Sequence, residues 1–378
     1  MAQRLENKQA ATHGFKNTIE VARWGALEKS RGNFLKDVVH PGRVFDTVWE
    51  DDGWPVIPIN PPIGVDQARL ASHKTKVEAF SFSSGKYIEQ AVTHPIDRVS
   101  VLTATSKMNA ISFSLAAGPL KAHGTCLPSD LSTEAFRKRV GEVNGQGYAD
   151  VEGTKKGIRT VDILEPGQKS ITKSQAMGTW ICDQCYAGKG NYAKLDSNQI
   201  FQIARKIWVD RHLAQGDFAQ TMVDILRRTL STDSVMRAKI CSSEYFRIHD
   251  SGDFFPVAGN KFAYFDAWVE VAQSMPEVRF WCPTRMWIIP DWRDHMISTM
   301  SRPGAPQNLV IRPSALIYGV KAPKLTGLAA GSTSSAVPMK PEGHWDCPAY
   351  ESPEGSCVGA GCRVCWNHPQ LPVNYKVH

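Results

Sequence analysis

Seven of the nine cysteines in this chain fall into groupings that suit metal ligation. Cys182-Asp183-Gln184-Cys185 puts two thiols on one turn, so both can face one metal, or act as a redox pair. Cys126, with His123 nearby, lies upstream and is a natural third ligand. Three thiolates leave one coordination position open, the layout of a reactive iron–sulfur cluster or of zinc holding a water. Cys347, Cys357, Cys362 and Cys365 form a second group, C-x9-C-x4-C-x2-C, interleaved with Gly355, Gly359 and Gly361. So small and Gly-rich a segment cannot bury a core of its own, and a metal would supply its folding energy. Zinc and an iron–sulfur cluster use the same four thiolates, so the ligands leave the metal open. His368 and His378 are possible substitute ligands. Cys241 and Cys282 lie on or beside strands and read as small buried hydrophobes.

A second constellation sits at three successive strand ends. The first reads Tyr245-Phe246-Arg247-Ile248-His249-Asp250-Ser251-Gly252-Asp253-Phe254-Phe255. The second is Arg279-Phe280-Trp281-Cys282-Pro283-Thr284-Arg285, and the third is Val310-Ile311-Arg312-Pro313-Ser314. In a parallel α/β fold the loops at the carboxyl ends of strands share one face, where active sites are built. Asp250 and Asp253 can divide labour as nucleophile and general acid or base once their pKa values are pushed apart. Arg285 and Arg312 can hold a carboxylate or phosphate in a two-pronged contact. Ser251 and Gly252 let the backbone approach a ligand, His249 brings a useful pKa, and Trp281 or Trp287 can stack on a base. The structural alternatives are equally concrete. Asp-Ser-Gly-Asp is ordinary turn chemistry, Arg285 can bridge Asp253, His249 can be a satisfied strand-end residue, and Trp268 and most other aromatics suit a core.

The elements that must position these groups follow from periodicity. Val99 to Thr105 and Ala110 to Leu115 read as strands. Helices are expected from Asp196 or Ser197 to Leu213, Asp217 to Leu230, Lys261 to Ser274 and Pro290 to Thr299. Strands are expected at Glu244 to His249, Val278 to Cys282 and Leu309 to Arg312. The alternation predicts an α/β fold of parallel strands with right-handed crossover helices, a complete or partial (β/α) barrel. The expected organisation is an N-terminal region at 1–95, its Pro-rich stretch 54–62 excluding a long helix. A catalytic domain at 96–326 follows, with an insertion at about 129–173. A Gly/Ala/Ser-rich linker at 327–338 then leads to a Cys-rich metal-binding tail at 339–378.

The 378 residues are 42% hydrophobic and 21% charged, which places the chain among globular proteins. A net charge of +7 permits a nucleic-acid partner without demanding one. Met1 to Thr18 lacks the apolar core of a signal peptide, and no apolar run approaches the ~20 residues that span a bilayer. The expected location is therefore the cytoplasm, where grouped cysteines point to metal and not to disulfides.

In combination these residues resemble the phage gene product 88 family. The resemblance is carried by Cys126, Cys182-x2-Cys185-Tyr186-Ala187, Arg247-Ile248-His249-x-Ser251-Gly252-Asp253-Phe254, Trp268, Pro283-Thr284-Arg285 and the Cys-rich tail, over roughly residues 105–366. The insertion between Cys126 and Cys182 is a departure from it. A more distant likeness is to tRNA-guanine transglycosylases and phage enzymes that place deazaguanines in DNA. Those are barrels with an Asp-Ser-Gly-Gly-Phe turn, a Pro-Thr-Arg turn and a zinc-binding cysteine group. Their nucleophilic Asp lies just before Pro-Thr-Arg, where this chain has none, so Asp253 or Asp250 would take that role. A third likeness, through three cysteines on a partial barrel, is to radical S-adenosylmethionine enzymes, whose compact C-x3-C-x2-C motif is absent. These likenesses imply base exchange of guanine for a deazaguanine in phage DNA inside an infected bacterium, or iron–sulfur redox chemistry. The third expectation is a zinc-stabilised protein that binds nucleic acid without catalysis.

Overall fold

The computed structural model of the protein describes residues 28–29, 31–33, 35–36, 39–51, 53–65, 76–81, 86–91, 94–105, 110–120, 123–126, 180–185, 187, 196–231, 244–335, 342–352, 356–357 and 360–376. The expected insertion, Cys241 and His378 lie outside them. Strand β1 (Val48–Trp49) pairs antiparallel with the long β2 (Pro55–Val65). A hairpin follows, β3 (Lys76–Ser81) with β4 (Lys86–Ala91), and β5 (His94–Ser100) then returns along β2. The Pro-rich stretch is thus β2. Its register shifts between Pro58 and Ile63, because prolines bring no N–H to a ladder. The boundary expected at residue 95 falls inside β5, and Ile57, Ile63 and Val99 join the same apolar core as the rest of the chain. The strand expected from Val99 to Thr105 is divided. Val101 and Leu102 are buried at a corner where the chain leaves β5 and enters β6 (Thr103–Thr105) of a second sheet.

That second sheet positions the candidate site. From β7 (Ala110–Phe113) onward, β8 (Tyr245–Ile248), β9 (Arg279–Thr284) and β10 (Leu309–Pro313) each lie parallel to and beside the strand before. β6 closes one edge antiparallel to β7, and among the described residues the order runs from β10 to β6 as an open sheet. The crossovers carry α1 (Asp196–Gln215), α2 (Phe218–Ser231), α3 (Ala263–Ser274) and α4 (Pro290–Ser301). The expected alternation is therefore present with bounds shifted by a residue or two. Among the described residues, no helix is long and apolar enough to cross a membrane.

Strand pleating sorts the side chains onto two faces. Register puts Ile111, Phe113, Phe246, Ile248, Phe280, Cys282, Leu309 and Ile311 on one face, all buried. The fully buried Trp268 of α3 packs there edge-on to Phe113 and against Phe246, with Phe218 of α2 alongside. Removing such a tryptophan costs on the order of 3–5 kcal/mol. The opposite face carries Ala110, Tyr245, Trp281 and Val310, and the Cys-rich tail covers it.

The tail is a small parallel sheet in the order β11 (Ser332–Ser335), β13 (Val373–Lys376), β12 (Trp345–Asp346), with a short α5 (Val364–Asn367). The segment expected to be a linker is thus partly β11. Its small residues serve close packing instead of flexibility. Ser332, Thr333 and Ser335 are buried, and Ser332 forms a bridge with Ser314 just past β10. Trp366 of α5 donates from Nε1 to the Phe246 carbonyl at 2.9 Å and meets Trp281 edge-on at 5.1 Å.

Arg312 locks this seam. Its side chain is fully buried, and Nη1 donates to the carbonyls of Ala330 and Leu371 while Nη2 donates to that of His368. Truncating it would remove all three of these contacts and leave a cavity where the guanidinium is buried. Arg312→Ala is expected to lower unfolding stability by about 3 kcal/mol or more and to open the tail to protease ahead of the sheet. A melt within experimental error of the parent, with an equally resistant tail, would refute the seam.

Candidate functional site

The carboxyl ends of β7 and β8 are joined beyond their ladder. Asp250 N donates to Phe113 O at 3.1 Å, and Leu115 N donates to Ser251 O at 3.0 Å. Ser251 Oγ donates back to Leu115 O at 2.7 Å and lies within reach of Ser114 Oγ and Gln202 Nε2. Gly252 then turns with φ of +86°, and a Cβ there would fall 2.7 Å from Thr125 Oγ1 and 3.0 Å from Leu115 Cβ. Only glycine allows that approach. A second close approach shapes the loop before Cys126. A Cβ on Gly124 would lie 2.2 Å from Gly118 O, and Cys126 N donates to that same oxygen at 2.9 Å.

Asp253 is the hub of this edge. Its Oδ1 accepts from Thr284 Oγ1 at 2.6 Å and from Phe254 N at 2.8 Å, and its Oδ2 accepts from Arg285 N at 2.9 Å. Its own N–H donates to Thr125 Oγ1 at 3.1 Å. One residue, through its carboxylate and its own N–H, thereby ties the loops after β7, β8 and β9. Burial pushes its pKa up to about 6, against the lowering effect of the three donors and the Arg285 charge. Arg285 extends the chain of contacts to the fourth strand end, because its Nε donates to Ala315 O at 3.1 Å.

The cysteines close the circuit. Trp180 bridges Ile317, and Ile181 N donates to Leu316 O at 2.8 Å. This pins the turn Ile181–Gln184, and so Cys182 and Cys185, beside the loop after β10. Cys126 follows Thr125, which is held to Asp253. The segments that carry the thiols on both sides of the expected insertion therefore lie at one edge of the sheet. Electrostatics register the same neighbourhood. Burial, with the charges of Asp253, Cys185 and Cys182, pushes the Cys126 thiol up. Burial opposes the Arg285 charge, yet Cys182, Cys185, Asp253 and Cys126 hold its pKa above the ordinary value. Arg31, fully buried, donates to Gln199 Oε1 at 2.6 Å and Ala117 O at 2.7 Å. Burial lowers its pKa to about 10, with Cys126 and Cys185 opposing.

The side chains of the other expected site residues have other partners. His249 has a left-handed φ of 62° and a buried ring, with Nε2 at 3.0 Å from Tyr264 OH and Nδ1 at 3.5 Å from Cys282 Sγ. Burial, with Arg247 nearby, pushes its pKa down to about 3, so the imidazole is neutral. Asp250 is buried beside Ser112, whose Oγ is 3.4 Å from Oδ2, and burial raises its pKa against Arg247 and Arg205. Trp281 faces the tail, with the Arg247 guanidinium 4.8 Å from its ring centre. Arg312 serves the tail seam, and Trp287 is buried with Nε1 donating to Ser314 O at 2.8 Å.

Of the tail thiols, Cys347 and Cys365 are buried and Cys357 and Cys362 partly so. Burial raises Cys365 to about 11, with Tyr375 and Arg312 opposing and Cys347 and Cys362 adding to it. The two cysteine groups occupy different places, one at the strand ends and one on the sheet face. Among the described residues, no three Cys, His, Asp or Glu side chains already converge as a metal ion would require. Sequence reasoning missed Arg31, Thr125, Gln199 and Gln202. Thr284 was visible within Pro283-Thr284-Arg285, but Arg31 lies in a stretch with no readable period.

A family model described as Gene product 88 matches residues 86–344. No curated protein and no solved structure matches the chain.

Two outcomes test this geometry. Asp253→Asn sets an amide N–H against the Arg285 N–H or the Thr284 hydroxyl, and urea melts should show a loss of roughly 2–3 kcal/mol. An unchanged midpoint would remove Asp253 from its place as hub. The second concerns His249, whose ordinary pKa of 6.5 is lowered on folding to about 3. Its contribution is intact above pH 6.5 and fades as pH falls toward 3, at about 1.4 kcal/mol per unit. His249→Asn, which tolerates the left-handed backbone, should flatten the acid side of the stability profile. Parallel profiles for the two proteins would contradict a buried neutral imidazole.

Proposed function

The chain belongs to the phage Gene product 88 family, and for this member we propose an iron–sulfur redox enzyme whose reaction centre is held by Cys126, Cys182 and Cys185. The supporting observation is that the segments carrying these thiols lie together at the carboxyl edge of the parallel sheet, where α/β enzymes place their chemistry. The donor set fits the group. Three soft thiolates hold a cluster and leave a position for a substrate or cofactor atom, and such a centre supplies electron transfer or radical chemistry when bound. The chain's own residues would hold and shield it. Asp253 fixes the loops, Arg31 and Arg285 offset thiolate charge, and the packed strand ends limit water. The open sheet with consecutive parallel strands suits a partial barrel around that edge. The tail thiols are read as a separate structural metal site that fastens the tail to the sheet.

Base exchange with an Asp nucleophile has less support. Asp253 has both oxygens engaged by three donors, and the Asp250 side chain is buried with one oxygen 3.4 Å from Ser112 Oγ, so neither is an exposed nucleophile. A nucleic-acid substrate stays compatible with the +7 net charge.

Anaerobic purification with iron, sulfide and zinc analysis tests the proposal. The full chain should be brown. Cys126→Ser and Cys182→Ser should each lose most of the iron and sulfide, while Cys362→Ser should keep them. A colourless protein containing zinc alone, or iron that survives Cys126→Ser, would overturn it.

A further inference from the structure

We propose that the three-thiol edge takes an anionic ligand, a carboxylate or a phosphate, gripped by the guanidinium of Arg285. This rests on the reaction centre proposed above and names the class of molecule that would enter it. Arg285 is fixed at two points. Its backbone N–H is held by Asp253 Oδ2 at 2.9 Å, and its Nε donates to Ala315 O at 3.1 Å. Among the described residues neither Nη atom has a hydrogen-bond acceptor, although the side chain is half-buried. An arginine aimed from both ends with its outer fork unclaimed is a preorganised receptor for a planar or tetrahedral oxyanion.

The charge around it points the same way. Asp253 is the nearby acid, and its two oxygens are already met by Thr284, Phe254 and Arg285 N. A second cation, Arg31, lies fully buried at the same edge, near Cys126 and Cys185. A cluster held by the thiolates would take up most of their charge, leaving the outer fork of Arg285 in a place poor in water. A cation there calls for an anionic partner. A ligand whose acidic group met Arg285 would have its neighbouring atoms beside Cys126, Cys182 and Cys185.

Calorimetric titration of the full chain with inorganic phosphate and, separately, with succinate tests this. At least one anion should bind. Arg285→Gln, which keeps the backbone N–H to Asp253, should weaken that binding roughly tenfold or more, and Arg285→Lys should fall between. The better binder of the two identifies the oxyanion class. Binding of neither anion, or equal binding by parent and Arg285→Gln, would overturn the inference. Metal analysis of the same samples separates the two claims. Iron retained at the cysteines with no anion bound refutes the anion site alone. Arg285-dependent anion binding by a chain without iron refutes the reaction centre alone.

Discussion

A single buried carboxylate organises the edge of this protein. Asp253 accepts from a threonine hydroxyl and two backbone amides, and its own amide donates to Thr125. In water such contacts would be weak and exchangeable. In the interior each is strong, and the loss of one leaves a polar group without solvent. The loops after β7, β8 and β9 can therefore shift only together. Arg285 carries the constraint on to the loop after β10, and the Ile181–Gln184 turn is pinned to that loop. The positions of Cys126, Cys182 and Cys185 are consequences of this chain of contacts.

The two faces of the sheet explain why the chain carries two cysteine groups. The helix face is filled by aromatic and branched side chains around Trp268 and needs no further fastening. The other face is covered by a tail too short and too rich in small residues to build a large core. It relies on the Trp281–Trp366 contact and on Arg312. Separation of the groups allows one to be structural and the other reactive.

Much of this was legible in the residues. The period of the helices and the strand-end motifs located α1 to α4, β8, β9 and β10 within a residue or two, because amphipathic burial dictates both. The turn at Gly252 announced itself by composition. What was not legible depended on contacts distant in sequence. The small residues of 327–338 read as flexible, but Ser332–Ser335 form β11, where small size allows the bridge to Ser314 and the contact with Asn374. The role of Arg312 was invisible because its partners lie in the tail, 18 to 59 residues away. Arg31 could not be found at all, because a buried cation leaves no periodic trace. The grouping of Cys126 with Cys182 and Cys185 was a spacing argument interrupted by the insertion; strand order brings the segments that carry them to one edge of the sheet.

The central claim is that thiols on either side of the insertion share one edge of the sheet. Thiol-to-thiol crosslinking with a short bifunctional reagent, on the reduced and metal-free chain, addresses it directly when followed by peptide mass mapping. The structure predicts a crosslinked peptide joining Cys126 to Cys182 or Cys185, and none joining Cys126 to Cys347, Cys357, Cys362 or Cys365. Crosslinks confined to the Cys182/Cys185 pair, with Cys126 labelled alone or joined to the tail, would contradict it.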